Sequence, residues 1–170
     1  SRASGKNNFT HFKLDTTYSV ALTKDLNFNI NTGGQLALDD LLNSEQSGIT
    51  GPNKLSGFTS GAISGDENWY FRGQFNKDYR LNDKLKVSPY VYGAAGVAYT
   101  ITPTAAENRA TAAKSIGIGL MINSMDKYFF DKNVSAKVEY SKNWATGVLE
   151  DVSDVRLNKQ HLGVSLAMTF

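Results

Sequence analysis

The chain has 170 residues, about one domain, and its 41% hydrophobic and 20% charged residues are ordinary for a folded protein. The formal net charge is +2 and no run of Lys and Arg exceeds two residues, which argues against nucleic acid as a partner. The absence of cysteine excludes disulfides and thiolate metal sites. No apolar segment approaches the roughly 18 residues of a membrane helix, and SRASGKNN at the start predicts no signal peptide.

Apolar residues recur at every second position over most of the chain, which predicts β-strands and no helix. Two such stretches come first, and a long Gly- and Ser-rich segment separates them from five more. The predicted strands cover residues 12–22, 26–38, 69–75, 87–99, 116–122, 134–140 and 162–170. Pro89 is expected near the start of the fourth strand, where a missing N–H is tolerated.

One side of these strands is apolar and the other carries Asn, Gln, Lys, Glu and Arg. Several stretches reach ten residues or more, enough for a tilted strand to cross a bilayer, and short connections alternate with long ones. Aromatic residues, among them Trp69 and Trp144, fall toward the strand ends near the long connections, as at a membrane interface. The pattern predicts an all-β fold, an antiparallel transmembrane β-barrel with its polar side inward. A water-soluble barrel or sandwich with an aromatic core is the alternative.

The two sides predict different tolerance to substitution. Lys in place of Ile118 or Val138 should be costly because both are expected to face lipid. A polar change at Gly117, on the opposite side, is expected to be mild.

The segment SEQSGITGPNKLSGFTSGAISGDENWYFRGQF, followed by LKVSPYVYGAAGVAY, resembles the C-terminal barrel half of two-partner secretion transporters. This is the haemolysin-activator and filamentous-haemagglutinin-transporter family, within the BamA-like barrel superfamily. The matching residues of the motif loop and the next two strands are Gly51, Pro52, Asn53, Gly57, Phe58, Gly65, Asp66, Trp69, Tyr70, Arg72, Pro89, Tyr90, Tyr92 and Gly96.

The resemblance implies that a long loop at about 40–66 folds into the barrel lumen and docks on the inner wall. Gly57, Gly61 and Gly65 would allow close approach, and Phe58 would anchor the tip. The expected loop latch and its wall comprise Gly51, Pro52, Asn53, Ser56, Gly57, Phe58, Gly65, Asp66, Arg72, Tyr92, Ala94 and Gly96, and the expected lumen lining comprises Asn27, Asn29, Asn31, Lys137 and Glu139.

The chain departs from the family pattern at two positions. The family has an Arg before the Gly of the loop tip and an Asp on the wall strand, where this chain has Ser56 and Ala94. Losing both partners removes the ion pair without leaving a charge unpaired. Docking is therefore expected to be weaker or to use other contacts.

The function implied is that of a bacterial outer-membrane translocator that exports a secreted partner polypeptide through its lumen. No enzyme motif is present, and His11 and His161 are expected to be polar lining, so no catalytic residue, metal or cofactor is predicted. Outer-membrane lipids are expected partners, as is the barrel-assembly machinery through the C-terminal strand ending in Phe170. The alternative is a small structural or pore-forming barrel, including an autotransporter-type translocator domain, with a surface-exposed loop.

Seven strands is an odd number, whereas bacterial single-chain barrels have an even number. We therefore expect residues 1–170 to be the C-terminal part of a larger barrel, which by resemblance has sixteen strands preceded by periplasmic polypeptide-transport domains. The alternative is that SRASGKNN and other unrecognised residues form an eighth strand and close a small barrel.

Overall fold

A computed structural model describes residues 8–103, 108–124, 133–147 and 160–169. Within these ranges all regular secondary structure is β, which confirms the predicted all-β class. The strands are β1 (His11–Ala21), β2 (Leu26–Ala37), β3 (Ser47–Gly48), β4 (Ser64–Gly65), β5 (Glu67–Lys77), β6 (Tyr79–Asn82), β7 (Leu85–Tyr99), β8 (Ala110–Ser124), β9 (Asn133–Thr146) and β10 (Gln160–Thr169).

None of the described residues belongs to a helix long and apolar enough to span a membrane.

The seven predicted strands form one antiparallel sheet in the order β1-β2-β5-β7-β8-β9-β10. Sequence neighbours among these long strands are therefore neighbours in space, as in a meander. The sheet is open between β1 and β10 in the described ranges, which is consistent with part of a barrel. Membership of a sixteen-stranded barrel stays a prediction.

Two details differ from the sequence prediction. The connection at 79–84 contains the short strand β6, which pairs with β7 as a continuation of β5. Pro89 is the fifth residue of β7 rather than near its start, and it lies opposite the break between β5 and β6. The last β5 pair is Asn76 with Tyr90 and the first β6 pair is Tyr79 with Val87, so the missing N–H of Pro89 falls where the ladder is interrupted.

The apolar side of the sheet is exposed across all seven long strands. An exposed apolar surface of this extent far exceeds what a water-soluble monomer presents, and it fits contact with lipid. Large side chains more than half exposed on this face include Phe12, Leu14, Tyr18, Leu36, Trp69, Val91, Ile116, Ile118, Leu162, Val164 and Leu166. We call this side the apolar face.

The opposite side, which we call the polar face, is partly covered by residues 38–66, which we call the folded loop. Ile49, Leu55, Phe58 and Ile63 of this loop are at most 5% exposed. They form one cluster with side chains of the sheet, namely Tyr70, Tyr90, Tyr92, Ala94, Ala98 and Ala113. The buried apolar core thus lies between the folded loop and the polar face.

Glycines of β8 make room for the tyrosines of β7 on the polar face. An added Cβ at Gly117 would lie 2.5 Å from the Tyr92 ring and 2.8 Å from the carbonyl oxygen of Tyr140. An added Cβ at Gly119 would collide with the Tyr90 ring. The expectation that a polar change at Gly117 is mild is therefore wrong, because any side chain there displaces a buried tyrosine.

We predict that Ile118→Lys lowers the free energy of unfolding in lipid bilayers by about 2–4 kcal/mol, because it places a charge on the apolar face. Ile118→Leu keeps the position apolar and should be nearly neutral. Thr17→Lys, at an exposed position of β1 on the polar side, should cost much less. Reversible unfolding in denaturant measures all three, and equal losses for the two lysine variants would contradict the assignment of the faces.

Candidate functional site

The folded loop is an ordered structure fastened at both ends. β3 and β4 pair Ser47 with Gly65 and Gly48 with Ser64, which closes the loop on itself. The buried Asp66 carboxylate accepts hydrogen bonds from the backbone N–H of Leu41 at 3.2 Å and of Ile101 at 2.8 Å. One side chain thus ties the start of the folded loop to the connection that follows β7.

The tip of the folded loop touches β9 through its backbone. The Asn143 amide donates a hydrogen bond of 2.6 Å to the carbonyl oxygen of Gly57, and Phe58 beside it is 5% exposed. A Cβ at Gly57 would collide with the side chains of Asn143 and Ser141. Glycine at this position therefore sets how closely the tip approaches the wall.

A buried carboxylate on β9 is the centre of the polar contacts. Glu139 accepts hydrogen bonds from the Ser56 hydroxyl at 2.5 Å and the Tyr90 hydroxyl at 2.6 Å. It also forms ion pairs with Lys137 at 2.9 Å and Arg72 at 3.3 Å, and the Arg72 and Glu139 side chains are 2% and 5% exposed. We call these five residues the hub, in which the hydroxyl of the loop lies between charges of the sheet.

Arg72 contacts the folded loop in addition to forming the ion pair with Glu139. Its guanidinium lies 3.6 Å from the ring centroid of Tyr92, and Nη1 donates to the Ser56 hydroxyl at 2.5 Å and to the Lys54 carbonyl at 3.2 Å. Nη2 donates to Gln74 at 2.9 Å. The planar guanidinium therefore uses both nitrogens at once, which a lysine could not do with the same geometry.

A second contact of the loop lies toward β1. The Lys54 ammonium sits 4.6 Å from the ring centroid of Tyr70 and donates to the Gly48 carbonyl at 2.8 Å. Tyr70 in turn donates to Asp15 at 2.8 Å. Burial lowers the pKa of Lys54 from its ordinary value, and the negative charge of Asp15 opposes that effect.

Of the remaining predicted latch residues, some lie where the folded loop meets the sheet and others are exposed. Ala94 is buried and is the register partner of Arg72, and Gly96 and Gly65 lie where the loop meets the backbone and side chains of the sheet. Gly61 has a φ of 75°, a conformation that favours glycine. Pro52 and Asn53 are exposed. Gly51 and Pro52 line a cavity of about 290 Å³ between the loop tip and β9 and β10, which the hub residues Ser56, Lys137 and Glu139 also line.

The predicted lumen residues divide into two groups. Lys137 and Glu139 belong to the hub. Asn27 and Asn29 form lateral hydrogen bonds to Asp78 and Asn76, and Asn31 accepts one from Thr17. The asparagines thus stabilise the polar face beside the loop, while the charged pair lies under it.

Sequence reasoning did not single out Asn143 or Ser141, nor the role of Tyr90 as a partner of Glu139. Asn143 and Ser141 follow Lys137 and Glu139 at every second position of β9, so the alternation places all four on one face. That shared face was the available signal. In the part of the chain that the structure describes, no group of three or more His, Asp or Glu residues could hold a metal ion.

An antiparallel sheet with one exposed apolar face and one loop-covered polar face fits a β-barrel outer-membrane protein. The family model described as haemolysin secretion/activation protein ShlB/FhaC/HecB matches residues 1–120, and the chain belongs to this family. The match confirms the resemblance to two-partner secretion transporters that the sequence motifs indicated. It supports a general role in two-partner secretion as a translocator or activator. No curated protein and no solved structure matched the chain in comparisons with each.

We predict that the hub residues are energetically coupled. Glu139→Gln leaves the Arg72 guanidinium buried without an anion and should cost about 3–5 kcal/mol of unfolding free energy. Arg72→Met should cost less, because Glu139 keeps Lys137 as a partner. The double variant should lose less than the sum of the two, as a double-mutant cycle in denaturant will show. Glu67→Gln, outside the hub, is the control, and additive losses would contradict coupling.

We also predict that Gly57→Ala releases the loop tip, because the methyl group has no space beside Asn143. Hydrogen exchange of residues 52–62 should become faster in the variant. Thr59→Ala, two residues along at an exposed position, should leave the exchange unchanged. Equal protection in all three proteins would mean that close packing of the tip does not hold the loop.

Proposed function

We propose that the protein is a translocator of the bacterial outer membrane that exports a secreted partner polypeptide through the lumen of its barrel, with the folded loop as the gate. The observation that carries the proposal is the packing of residues 49–63 across the polar face, with Ser56 held between Arg72 and Glu139. A loop in this place obstructs the space that a barrel would enclose.

The chemistry of the contact suits a gate that opens. The folded loop offers the hub a hydroxyl and a backbone carbonyl, while both members of the buried ion pair belong to the sheet. When the loop leaves, Arg72 and Glu139 remain paired with each other and water replaces the hydroxyl. Opening therefore leaves no unpaired charge on the wall, which lowers its cost.

The polar face left behind suits passage of an unfolded chain. It carries asparagines at 27, 29 and 31 and charges of both signs at 72, 137 and 139, so it offers hydrogen bonds without a strong net field. Folding of the partner outside the cell would oppose its return, since a domain is typically stabilised by about 5–15 kcal/mol. This supplies direction without a nucleotide.

The partners follow from the family and from the chain's own pattern. Two-partner secretion implies a secreted polypeptide as cargo. Recognition by the barrel-assembly machinery through the C-terminal strand is part of the proposal, although Phe170 lies outside the described residues. Contact with outer-membrane lipids is supported by the exposed apolar face.

We predict that deleting residues 52–62 raises single-channel conductance in planar bilayers and reduces export of the partner, because the lumen loses both its obstruction and its gate. Replacing the exposed Asn53 and Thr59 by Ala keeps the loop length and the hub and should change neither quantity. Unchanged conductance after the deletion would mean that the loop does not lie in the lumen.

The alternative barrel with a surface loop makes the opposite prediction for proteolysis. In intact cells a gate loop is protected from external protease, whereas a surface loop is cut. Cleavage within 52–62 in the wild-type protein would favour the structural or pore-forming barrel.

A further inference from the structure

The apolar face carries few charged side chains in the described strands of the sheet. The strand alternation places four there: Glu67, Lys77, Lys114 and Lys142. A charge on a face that contacts lipid is costly unless it reaches the headgroups or meets a partner. Lys114 and Lys142 are exposed neighbours on β8 and β9, and this pair calls for an explanation.

Both lysines lie against one tryptophan. The Lys114 ammonium is 5.6 Å and the Lys142 ammonium 5.4 Å from the ring centroid of Trp144. Lys114 is the register partner of Trp144. Lys142 precedes Trp144 by two residues and lies on the same face of β9. Neither lysine forms an ion pair with a carboxylate in the described part of the chain. Two ammonium groups thus lie near one indole ring, and neither is paired with a carboxylate among the described residues.

The two lysines lie toward the same end of their strands. On the apolar face of β8, the residues from Ile116 to Ile122 are all apolar. On the apolar face of β9, the residues from Val134 to Tyr140 are apolar, and Lys142 follows them. Both lysines therefore lie near one end of the apolar face, next to Ala112 and Trp144, on the side of the folded loop and the connection after β7. In barrels of this kind the long connections face outward, so this end meets the outer leaflet.

A depression lies beside Lys114. It has a volume of about 410 Å³ between the two indole rings of Trp69 and Trp144, with Lys114 at its border. Its floor consists of small residues, among them Ala95, Gly96 and Ala112. Small residues between two large aromatic ones leave room for an acyl chain or a sugar ring, and a tryptophan offers both an apolar face and a polar edge.

We propose that Lys114, Lys142 and the depression between Trp69 and Trp144 form a binding site for a phosphorylated lipid of the outer leaflet. The two ammonium groups bind the phosphate, because lysine pairs with phosphate as a point charge. The depression holds the adjoining apolar or sugar part. This inference rests on the proposed membrane location, and it adds a specific lipid site that the gate does not require.

The test is titration of the detergent-solubilised protein with diphosphorylated lipid A, followed by native mass spectrometry. Lys114→Gln/Lys142→Gln should weaken binding about 30-fold, as expected for two lysines near an anionic headgroup. Lys77→Gln is the matched control, because Lys77 is also an exposed lysine of this face beside an aromatic ring, Tyr79, at the opposite end of the strands. It should change binding less than twofold.

Two further probes define the ligand. Monophosphorylated lipid A should bind more weakly than the diphosphorylated form, and inorganic phosphate alone should not compete. Retained affinity in the double variant, an equal loss in Lys77→Gln, or binding of free phosphate as tight as that of the lipid would overturn the site. The first of these results would mean that the lysines only reach toward the interface.

Membrane location is measured separately. Both tryptophans of the chain lie at this site, so brominated lipids should quench their fluorescence in bilayers. Quenching together with retained affinity in the double variant would overturn the lipid site and leave the translocator proposal intact. Absence of quenching would contradict both. Export of the partner should be unchanged in the double variant, because neither lysine touches the folded loop.

Discussion

The arrangement of this molecule depends on one buried carboxylate. Glu139 is 5% exposed and is surrounded by Arg72, Lys137, Tyr90 and Ser56, of which only Ser56 comes from the folded loop. Charges withdrawn from water are stable only when their hydrogen-bonding capacity is filled. The folded loop completes the shell and excludes water, and in return the hub gives the loop tip polar partners.

The same face also has to be filled by apolar groups, and this is done by pairing large with small residues. Tyr90 and Tyr92 lie across from Gly119 and Gly117 on the neighbouring strand. The rings occupy the space that side chains at the glycines would take, and they form the floor on which Phe58 and its neighbours pack. A tyrosine also brings a hydroxyl to the hub, so one residue serves both the apolar and the polar contact.

The long strands and their two faces could be predicted from the sequence because both follow from a period of two that is local. The folded loop could be anticipated only through the family motif. The hub could not, since Arg72 and Glu139 are 67 residues apart and their contact depends on the register of every strand between them. The effect of Gly117 was missed for the same reason: its neighbour Tyr92 lies on another strand.

The register also explains how docking survives without the family's ion pair between loop and wall. Ala94, where the family has an Asp, is the register partner of Arg72, so a cation of the sheet stands beside the missing anion. Ser56, where the family has an Arg, accepts from that same Arg72. Undocking here exchanges a few hydrogen bonds, each worth about 0.5–1.5 kcal/mol net, for water. Breaking a buried ion pair by removing one partner costs about 3–5 kcal/mol. With both charges on the wall, the proposed gate can open while the barrel keeps its ion pair, so gating and wall stability become separate properties.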